Sequence, residues 1–176
     1  MRSAEELQQR LYYLHEQLQQ MARKLPLQFQ QRMPYELLSG LANCLLNDTI
    51  FKIVEGLTEI QQVTEKQLLQ QRMQLLHKHK AEKEGLAKRQ ESSGGDSAVV
   101  EKEKDRLLSK QKEELVSADK NLILQLDQVV SEQQSTLEKA GIPGFYLTSN
   151  PQEIRVQMYL LEFIAQLGTS DETNFT

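Results

Sequence analysis

Apolar residues at intervals of seven constrain this 176-residue chain more than any other feature. In its second half the heptad row is Leu108, Leu115, Leu122 and Val129. Near the N-terminus leucines recur at steps of four and three, at Leu7, Leu11, Leu14 and Leu18. Such spacings place apolar side chains along one face of an α-helix, as in the seam of a coiled coil. Leu at 28 positions and Gln at 23 also favour helix over strand. The sequence predicts an all-α protein and excludes a β-sandwich or barrel.

Proline and capping residues divide the first half into helices. We predict an N-terminal helical pair over residues 1–47, in which Pro26 ends the first helix and residues 28–31 form a polar connection. Pro34 suits the first turn of the second helix. Asp48 is a good N-cap residue, so the first long helix is predicted over residues 48–91.

Glycine and serine mark the breaks in the second half. The cluster over residues 92–98 predicts a flexible tip, followed by a second long helix over residues 99–141 that Gly141 closes with a left-handed cap. A turn and a C-terminal helix are predicted over residues 142–168, with Asn150 as N-cap. The polar residues 169–176 are expected to be a disordered tail.

Two long helices around a flexible tip suggest a long antiparallel coiled-coil hairpin with additional short helices packed at its base. In that geometry residues 60–76 would face residues 107–126. The alternative is that each long helix pairs with another copy of the chain, which would make the protein a homo-oligomer. The sequence leaves both pairings open.

The distribution of charge bears on the kind of partner. The net charge is −4, and residues 78–120 carry 11 basic and 10 acidic groups, which nearly cancel. A nucleic-acid surface needs a patch of one sign, so nucleic acid is not the expected partner. Ladders such as Lys110 with Glu114 indicate a solvated helix face, where Glu114→Ala would change stability by under ~0.5 kcal/mol. The alternative function is a nucleic-acid-associated regulatory factor that uses the segment Lys78–Arg89.

No reactive constellation accompanies the heptads. His77 and His79 are two residues apart and point in different directions on a helix, whereas a helical zinc pair needs a spacing of four. His15 stands alone, and Cys44 lies on an apolar face. The segment at residues 93–96 lacks the Gly-Lys-Ser/Thr ending of a phosphate loop. We predict no catalytic residue, no cofactor and no metal site, and therefore a non-enzymatic protein.

Phe145 and Tyr146 are the candidate partner-binding residues. They are adjacent aromatics beside the turn at residues 142–144, and exposed aromatic side chains often anchor a partner. The competing interpretation is that they pack the last helix against the rest of the core. The sequence identifies no particular partner.

Hydropathy and the cysteine count bear on location. The longest apolar runs are three to four residues, whereas a membrane-spanning helix needs ~20, so no membrane span is expected. The N-terminal residues lack the basic and apolar regions of a secretory signal. The single cysteine agrees with a reducing, intracellular compartment.

Two stretches carry a resemblance to a known family. The first runs from Leu25-Pro26 through Phe29-Gln30-Gln31-Arg32 and Thr49-Ile50-Phe51 to Glu65-Lys66. The second runs from Gln133-Gln134-Ser135-Thr136-Leu137-Glu138-Lys139-Ala140-Gly141 to Asn150-Pro151-Gln152-Glu153. On these residues the chain resembles the gonadal protein family, the family of the DiGeorge syndrome critical region six protein.

The resemblance implies a largely helical, non-enzymatic protein, mainly nuclear with the cytoplasm as a second location. It also implies a part in neural crest cell migration during development. No catalytic or ligand residues define that family, so the resemblance adds no site residues. The expected activity is that of an interaction or scaffold protein that binds other proteins through helical surfaces.

Overall fold

The structure, a computed structural model, describes the backbone of residues 1–174 and the side chains of residues 1–170. The described chain is all-helical, as predicted: 84% of it is helix and it contains no strand. Its six helices are α1 (Ala4–Arg23), α2 (Leu27–Gln30), α3 (Tyr35–Cys44), α4 (Thr49–Ser93), α5 (Ser97–Lys139) and α6 (Pro151–Asn174).

The N-terminal region contains three helices rather than the predicted pair. Ser3 and Glu6 form a capping box that begins α1, because each side chain accepts a hydrogen bond from the other residue's backbone N–H. The predicted polar connection after Pro26 is the short helix α2, and its Phe29 is buried. Three of the four residues 28–31 are glutamine, so the hydropathy pattern indicated a polar connection although Phe29 is apolar.

The start of α4 agrees with the prediction, but the capping group differs. The helix begins directly after Asp48, yet the Thr49 N–H donates to Oδ1 of Asn47 at 3.1 Å. The Asp48 carboxylate instead accepts a hydrogen bond from Arg10 at 3.3 Å and lies 3.6 Å from Arg2. Asp48 therefore ties the start of α4 to α1, a role that local sequence does not reveal.

The end of α5 confirms the predicted glycine cap. Gly141 has φ +77°, the Gly141 N–H donates to the Glu138 carbonyl, and the Ile142 N–H donates to the Leu137 carbonyl. These two bonds form a Schellman motif, which favours glycine because of its left-handed backbone.

The N-cap of α6 is also as predicted, whereas its end differs. Asn150 Oδ1 accepts hydrogen bonds from the backbone N–H groups of Gln152 and Glu153. The helix does not stop at Gly168 but continues to Asn174, so residues 169–174 are helical rather than a disordered tail. The Thr169 and Ser170 hydroxyls both donate to the Gln166 carbonyl, so each has a hydrogen-bond partner within the helix. The last two residues of the predicted tail lie outside the described residues.

The chain divides into two compact units, of which the first comprises Met1–Ile60 and Val130–Thr176. Among the described side chains, its core is a single cluster of 19 buried apolar residues, contributed by all six helices and by the connections after α2, α3 and α5. The largest fully buried side chains are Leu14, Leu18, Leu41, Leu45, Val54, Leu137, Leu160 and Ile164. Burial of each contributes about 1.5–3 kcal/mol, which makes this cluster the main source of stability in the unit.

The second unit, Gln61–Val129, contains the remaining parts of α4 and α5 and the three-residue connection between them. Gly94 has φ +56° in this connection, and Asp96 Oδ1 accepts the Ala98 N–H at the start of α5. The predicted tip at residues 92–98 is therefore shorter, with most of its residues inside the two helices.

No single helix within residues 1–174 is both long enough and apolar enough to cross a membrane. The pair α3 and α4, which is bent by 99°, meets that criterion by length and composition alone.

Candidate interaction surfaces

A buried histidine joins the two helices of the second unit. His79 on α4 is only 5% exposed, and its Nε2 lies 2.9 Å from Oε2 of Glu114 on α5. Gln111, also buried, donates from Nε2 to the His79 carbonyl at 2.9 Å and to Glu82 at 3.4 Å. The hydrogen bond to His79 holds the pKa of the Glu114 carboxyl below its usual value.

These contacts correct the interpretation of Glu114 as a residue of a solvated face. Its pair with Lys110 exists, at 3.8 Å, but the same carboxylate also bonds to the buried His79. Removing it would leave a buried polar group without its partner, a change that costs more than the loss of an exposed ion pair. The i,i+4 spacing predicted the pair with Lys110, but it could not predict the bond to His79 on the other helix.

A second polar pair joins the same helices. The Arg72 Nε donates to Asp119 Oδ1 at 2.9 Å, and its Nη2 lies 3.5 Å from the other carboxylate oxygen. This hydrogen bond and the charge of Asp119 raise the pKa of Arg72 above its ordinary value. Both side chains are about two-fifths exposed. The pair therefore lies at the edge of the contact between the helices, beside solvent.

The predicted seam residues of α5 are not equally covered. Leu115, Leu122 and Val129 are half-buried, whereas Leu108 is 41% exposed. Leu107 is the more covered of the two neighbours, because it lies one turn before the buried Gln111. Three of the four predicted positions on α5 are therefore half-buried, and Leu107 is more buried than the predicted Leu108.

The predicted seam of α1 leads into the core of the first unit. Leu14 and Leu18 are fully buried, Leu11 packs against the same cluster, and Leu7 is 36% exposed. Coverage increases along the helix from its first turn.

Exposed apolar side chains remain on α4 and α5 outside the contact between them. They include Leu69, Met73 and Leu76 on α4, and Val116, Ile123 and Leu124 on α5. The heptad pattern did not predict this second set of residues, because it follows only one face of each helix. The sequence signal for these residues was an apolar stripe on each helix that is wider than a single coiled-coil seam requires.

The two predicted partner-binding aromatics lie in different environments. Phe145 is 4% exposed and belongs to the core of the first unit, so it is not available to a partner, and core packing is the correct interpretation for this residue. Tyr146 is 43% exposed and Leu147 more so. The backbone here is fixed, because Gln157 Nε2 donates to the Tyr146 carbonyl at 3.1 Å. Partial burial and the nearby Glu153 raise the pKa of the Tyr146 hydroxyl.

The other residues considered for chemistry are dispersed. His77 is exposed, and His15 packs edge-on against Tyr35 with ring centroids 4.8 Å apart. Cys44 is half-buried, its Sγ lies 3.7 Å from the Gly141 carbonyl, and burial raises the pKa of its thiol. Lys78, in the basic segment, lies 3.9 Å from Glu82. Among the described side chains, no group of three His, Cys, Asp or Glu could hold a metal ion.

Comparisons with known proteins agree over nearly the whole chain. A family model described as DiGeorge syndrome critical region 6 (DGCR6) protein matches residues 2–174. Protein DGCR6 of Gallus gallus is 43% identical over 169 residues, which cover 91% of this chain and 84% of that relative. Gonadal protein gdl of Drosophila melanogaster is 42% identical over 162 residues, covering 92% and 81%. No solved structure matches the chain.

Proposed function

The chain belongs to the DiGeorge syndrome critical region 6 protein family, and from this premise we propose that it is a non-enzymatic interaction or scaffold protein. In this proposal α4 and α5 form an antiparallel coiled-coil hairpin within one chain, with the shorter helices packed at its base. Other proteins bind the helical faces that the hairpin leaves exposed.

The order of the contacts between α4 and α5 carries the hairpin proposal. As residue numbers rise along α4 from Arg72 to His79, the residue numbers of their partners fall along α5 from Asp119 to Glu114. Near the connection, Gln90 donates to the Val100 carbonyl at 3.1 Å, which continues the same order. Falling partner numbers are the signature of antiparallel helices, and a three-residue connection allows them to pair within one chain.

Cysteine crosslinking tests whether the pairing is intramolecular. In a Cys44→Ser background, Glu82→Cys and Gln111→Cys place two thiols where the native side chains are 3.4 Å apart. We expect oxidation of a dilute sample to give a crosslinked monomer with altered electrophoretic mobility. The matched control pairs Glu82→Cys with Lys120→Cys, nine residues further along α5, and should not crosslink. Crosslinked dimers as the main product at every dilution would contradict the hairpin.

The cellular part of the proposal rests on the family resemblance. We propose nuclear residence, with the cytoplasm as a second location, and a part in neural crest cell migration. Imaging of the tagged chain tests the location, and exclusion from nuclei would contradict it. Depletion in migrating neural crest cells tests the developmental role, with re-expression of the wild-type chain as the rescue.

Affinity capture followed by mass spectrometry tests protein binding. Wild type is compared with Tyr146→Ala/Leu147→Ala, which removes two exposed side chains of the first unit, and with a control, Tyr12→Ala, on the exposed face of α1. We expect a subset of captured proteins to be lost only with the first variant. Identical captures from all three would exclude the Tyr146 surface as a binding site.

A further inference from the structure

The charged residues of the first unit are unevenly distributed along the chain. The unit carries 8 basic and 13 acidic residues, so it is acidic as a whole. Residues 17–35 nevertheless contain three of these bases, Arg23, Lys24 and Arg32, and no acid. This stretch covers the end of α1, all of α2 and the first residue of α3. It is therefore a basic stretch within an acidic unit.

Contacts with α6 bring a fourth base to this stretch. The guanidinium carbon of Arg155 lies 5.9 Å from the centroid of the buried Phe29 ring, within the range of a cation–π interaction. The Arg32 Nη2 donates to Oε1 of Gln152 at 2.7 Å. Phe29 and Arg32 are joined by a backbone hydrogen bond, and Gln152 lies one turn before Arg155 on α6. Arg32 and Arg155 therefore lie on the same surface.

The end of α1 lies against the same stretch. Gln30, the last residue of α2, donates from Nε2 to the Leu25 carbonyl at 2.6 Å and to the Arg23 carbonyl at 3.1 Å. These bonds hold Arg23 and Lys24 beside α2, and both side chains are exposed. We name this surface the basic patch; its residues are Arg23, Lys24, Arg32 and Arg155.

The four bases are not neutralised by the described part of the chain. None of them forms an ion pair with a carboxylate among the side chains of residues 1–170. The nearest acids along the chain are Glu16, Glu36, Glu153 and Glu162. Of these, Glu16 accepts a hydrogen bond from Gln20, and Glu153 accepts one from the Thr148 hydroxyl. The basic patch therefore carries four positive charges without a direct counter-charge.

One exposed apolar side chain accompanies the basic patch. Leu27, the first residue of α2, is 67% exposed, whereas Phe29 and Met33 in the same stretch are buried. The short helix thus packs its phenylalanine into the core and leaves its leucine in solvent. A ligand that carries both acidic and apolar groups complements a surface of this composition.

From these observations we propose that the basic patch binds a short acidic peptide segment of a partner protein, with an apolar residue of that segment against Leu27. A guanidinium group offers paired N–H donors that match the two oxygens of a carboxylate. Arg32 uses one of its donors on Gln152 and keeps the others for a ligand. Recognition of acidic segments by clustered arginines is a general mode of peptide binding.

The charge of the whole unit favours a peptide over a larger anionic surface. A short peptide responds mainly to charges within a Debye length, about 8–10 Å at physiological salt, and therefore to the basic patch. A lipid bilayer or a long nucleic acid also meets the rest of the unit, in which acids outnumber bases. Charge complementarity thus extends over the patch and not beyond it.

Fluorescence anisotropy with the full chain tests the proposal. The probe is a labelled twelve-residue peptide made of three Glu-Glu-Leu-Asp repeats, which wild type should bind with an affinity that falls as salt is raised. Arg32→Glu/Arg155→Glu should weaken binding by about tenfold or more. The matched control, Lys52→Glu/Lys139→Glu, makes the same change of charge at two exposed residues of the first unit and should bind like wild type. Circular dichroism verifies that each variant is folded.

A second variant makes the test independent of the contact between Arg155 and Phe29. Arg23→Glu/Lys24→Glu changes two exposed side chains at the end of α1 and should weaken binding by about threefold or more. No binding by wild type, or equal binding by wild type and both patch variants, would overturn the proposal. So would equal binding of a peptide of three Gln-Gln-Leu-Asn repeats. Tighter binding of single-stranded DNA, or of vesicles containing phosphatidylserine, would also reject a peptide as the ligand.

The inference rests on the interaction role proposed above, because it assigns the acidic segment to a partner protein, but it does not depend on the pairing of α4 with α5. The two proposals fail differently. If affinity capture recovers partners while the acidic peptide does not bind, the basic patch is wrong and the interaction role stands. If the peptide binds through the basic patch while capture recovers no protein, the interaction role is wrong.

Discussion

At the scale of single residues, two glycines with the same backbone conformation have different surroundings. Gly141 and Gly144 have φ of +77° and +89°. A Cβ at residue 141 would meet no atom within 4 Å, whereas one at residue 144 would lie 2.9 Å from Leu160 and 3.0 Å from Leu37. Residue 144 is therefore constrained both by its backbone and by the core of the first unit.

Gly144→Ala should destabilise the first unit more than Gly141→Ala does. The left-handed backbone costs an alanine about 1–2 kcal/mol at either position. At residue 144 the displaced leucines add a packing cost of about 1–3 kcal/mol. Chemical denaturation followed by circular dichroism measures the difference. Equal losses of stability in the two variants would contradict the close approach of Leu160 and Leu37.

Glu114 provides a prediction that depends on pH. Its pKa is lowered in the folded protein by the hydrogen bond to His79, so its charge contributes stability above the ordinary pKa of 4.5, and that contribution is lost as pH falls through the lowered folded value. Glu114→Gln should melt at a lower temperature than wild type near neutral pH. The gap should shrink between about pH 5 and pH 3. A gap that widens in acid would contradict the assignment. Glu113→Gln, at an exposed neighbour, is the control.

At the scale of helices, sequence alone predicted the all-α class, the two long helices and the caps at Asn150 and Gly141. These follow from spacing and local hydrogen bonding, which act over a few residues. It predicted only the facing ranges, residues 60–76 against residues 107–126, and not the pairing of individual residues; the bonds of Arg72 and His79 to α5 place Leu76 nearer Val116. Apolar heptads fit equally well when shifted by whole repeats, so polar partners such as His79 and Gln111 select the register.

The interaction residues were less predictable than the helices. Phe145 and Tyr146 are adjacent in sequence, yet one lies in the core and the other is exposed to solvent. The exposed apolar residues near Arg72 and Asp119 recur at heptad spacing, Leu69 with Leu76 and Val116 with Ile123, but spacing alone does not show whether a helix face is covered.

Leu122→Pro tests the role of α5. Leu122 is half-buried in the middle of the helix, where proline removes a backbone donor and costs about 3 kcal/mol or more. We expect the variant to lose helix content and to melt earlier than wild type. Ser97→Pro introduces the same residue at the first position of α5, where proline is tolerated, and should leave the melting temperature nearly unchanged. Comparable melting of both variants would show that α5 is not one continuous helix.

At the scale of the whole molecule, the two units differ in how much apolar surface they bury. The first has a core of 19 buried apolar residues, whereas in Gln61–Val129 Leu68 is the one buried apolar residue, accompanied by the buried polar residues His79 and Gln111. Hydrophobic burial is the principal stabilising contribution to a fold. Hydrophobic burial therefore contributes less to the stability of the second unit than to that of the first.

Hydrogen exchange should reveal this difference directly. Amides in α4 and α5 between residues 61 and 129 should exchange faster than those of α1 and α3, because local opening exposes less apolar surface there. Mass spectrometry of peptides from both units measures the rates. Slower exchange in residues 61–129 than in α1 and α3 would contradict the difference in buried apolar surface.

The short connection at residues 94–96 has a consequence for how this chain can change length over evolution. In the hairpin that we propose, only three residues separate α4 from α5, so each position in one helix has a fixed counterpart in the other. A single inserted codon midway along either helix would turn every later side chain by about 100° and separate Arg72 or His79 from its counterpart. Relatives should therefore differ by paired insertions or deletions of seven residues in the two helices, or by changes confined to the bend itself.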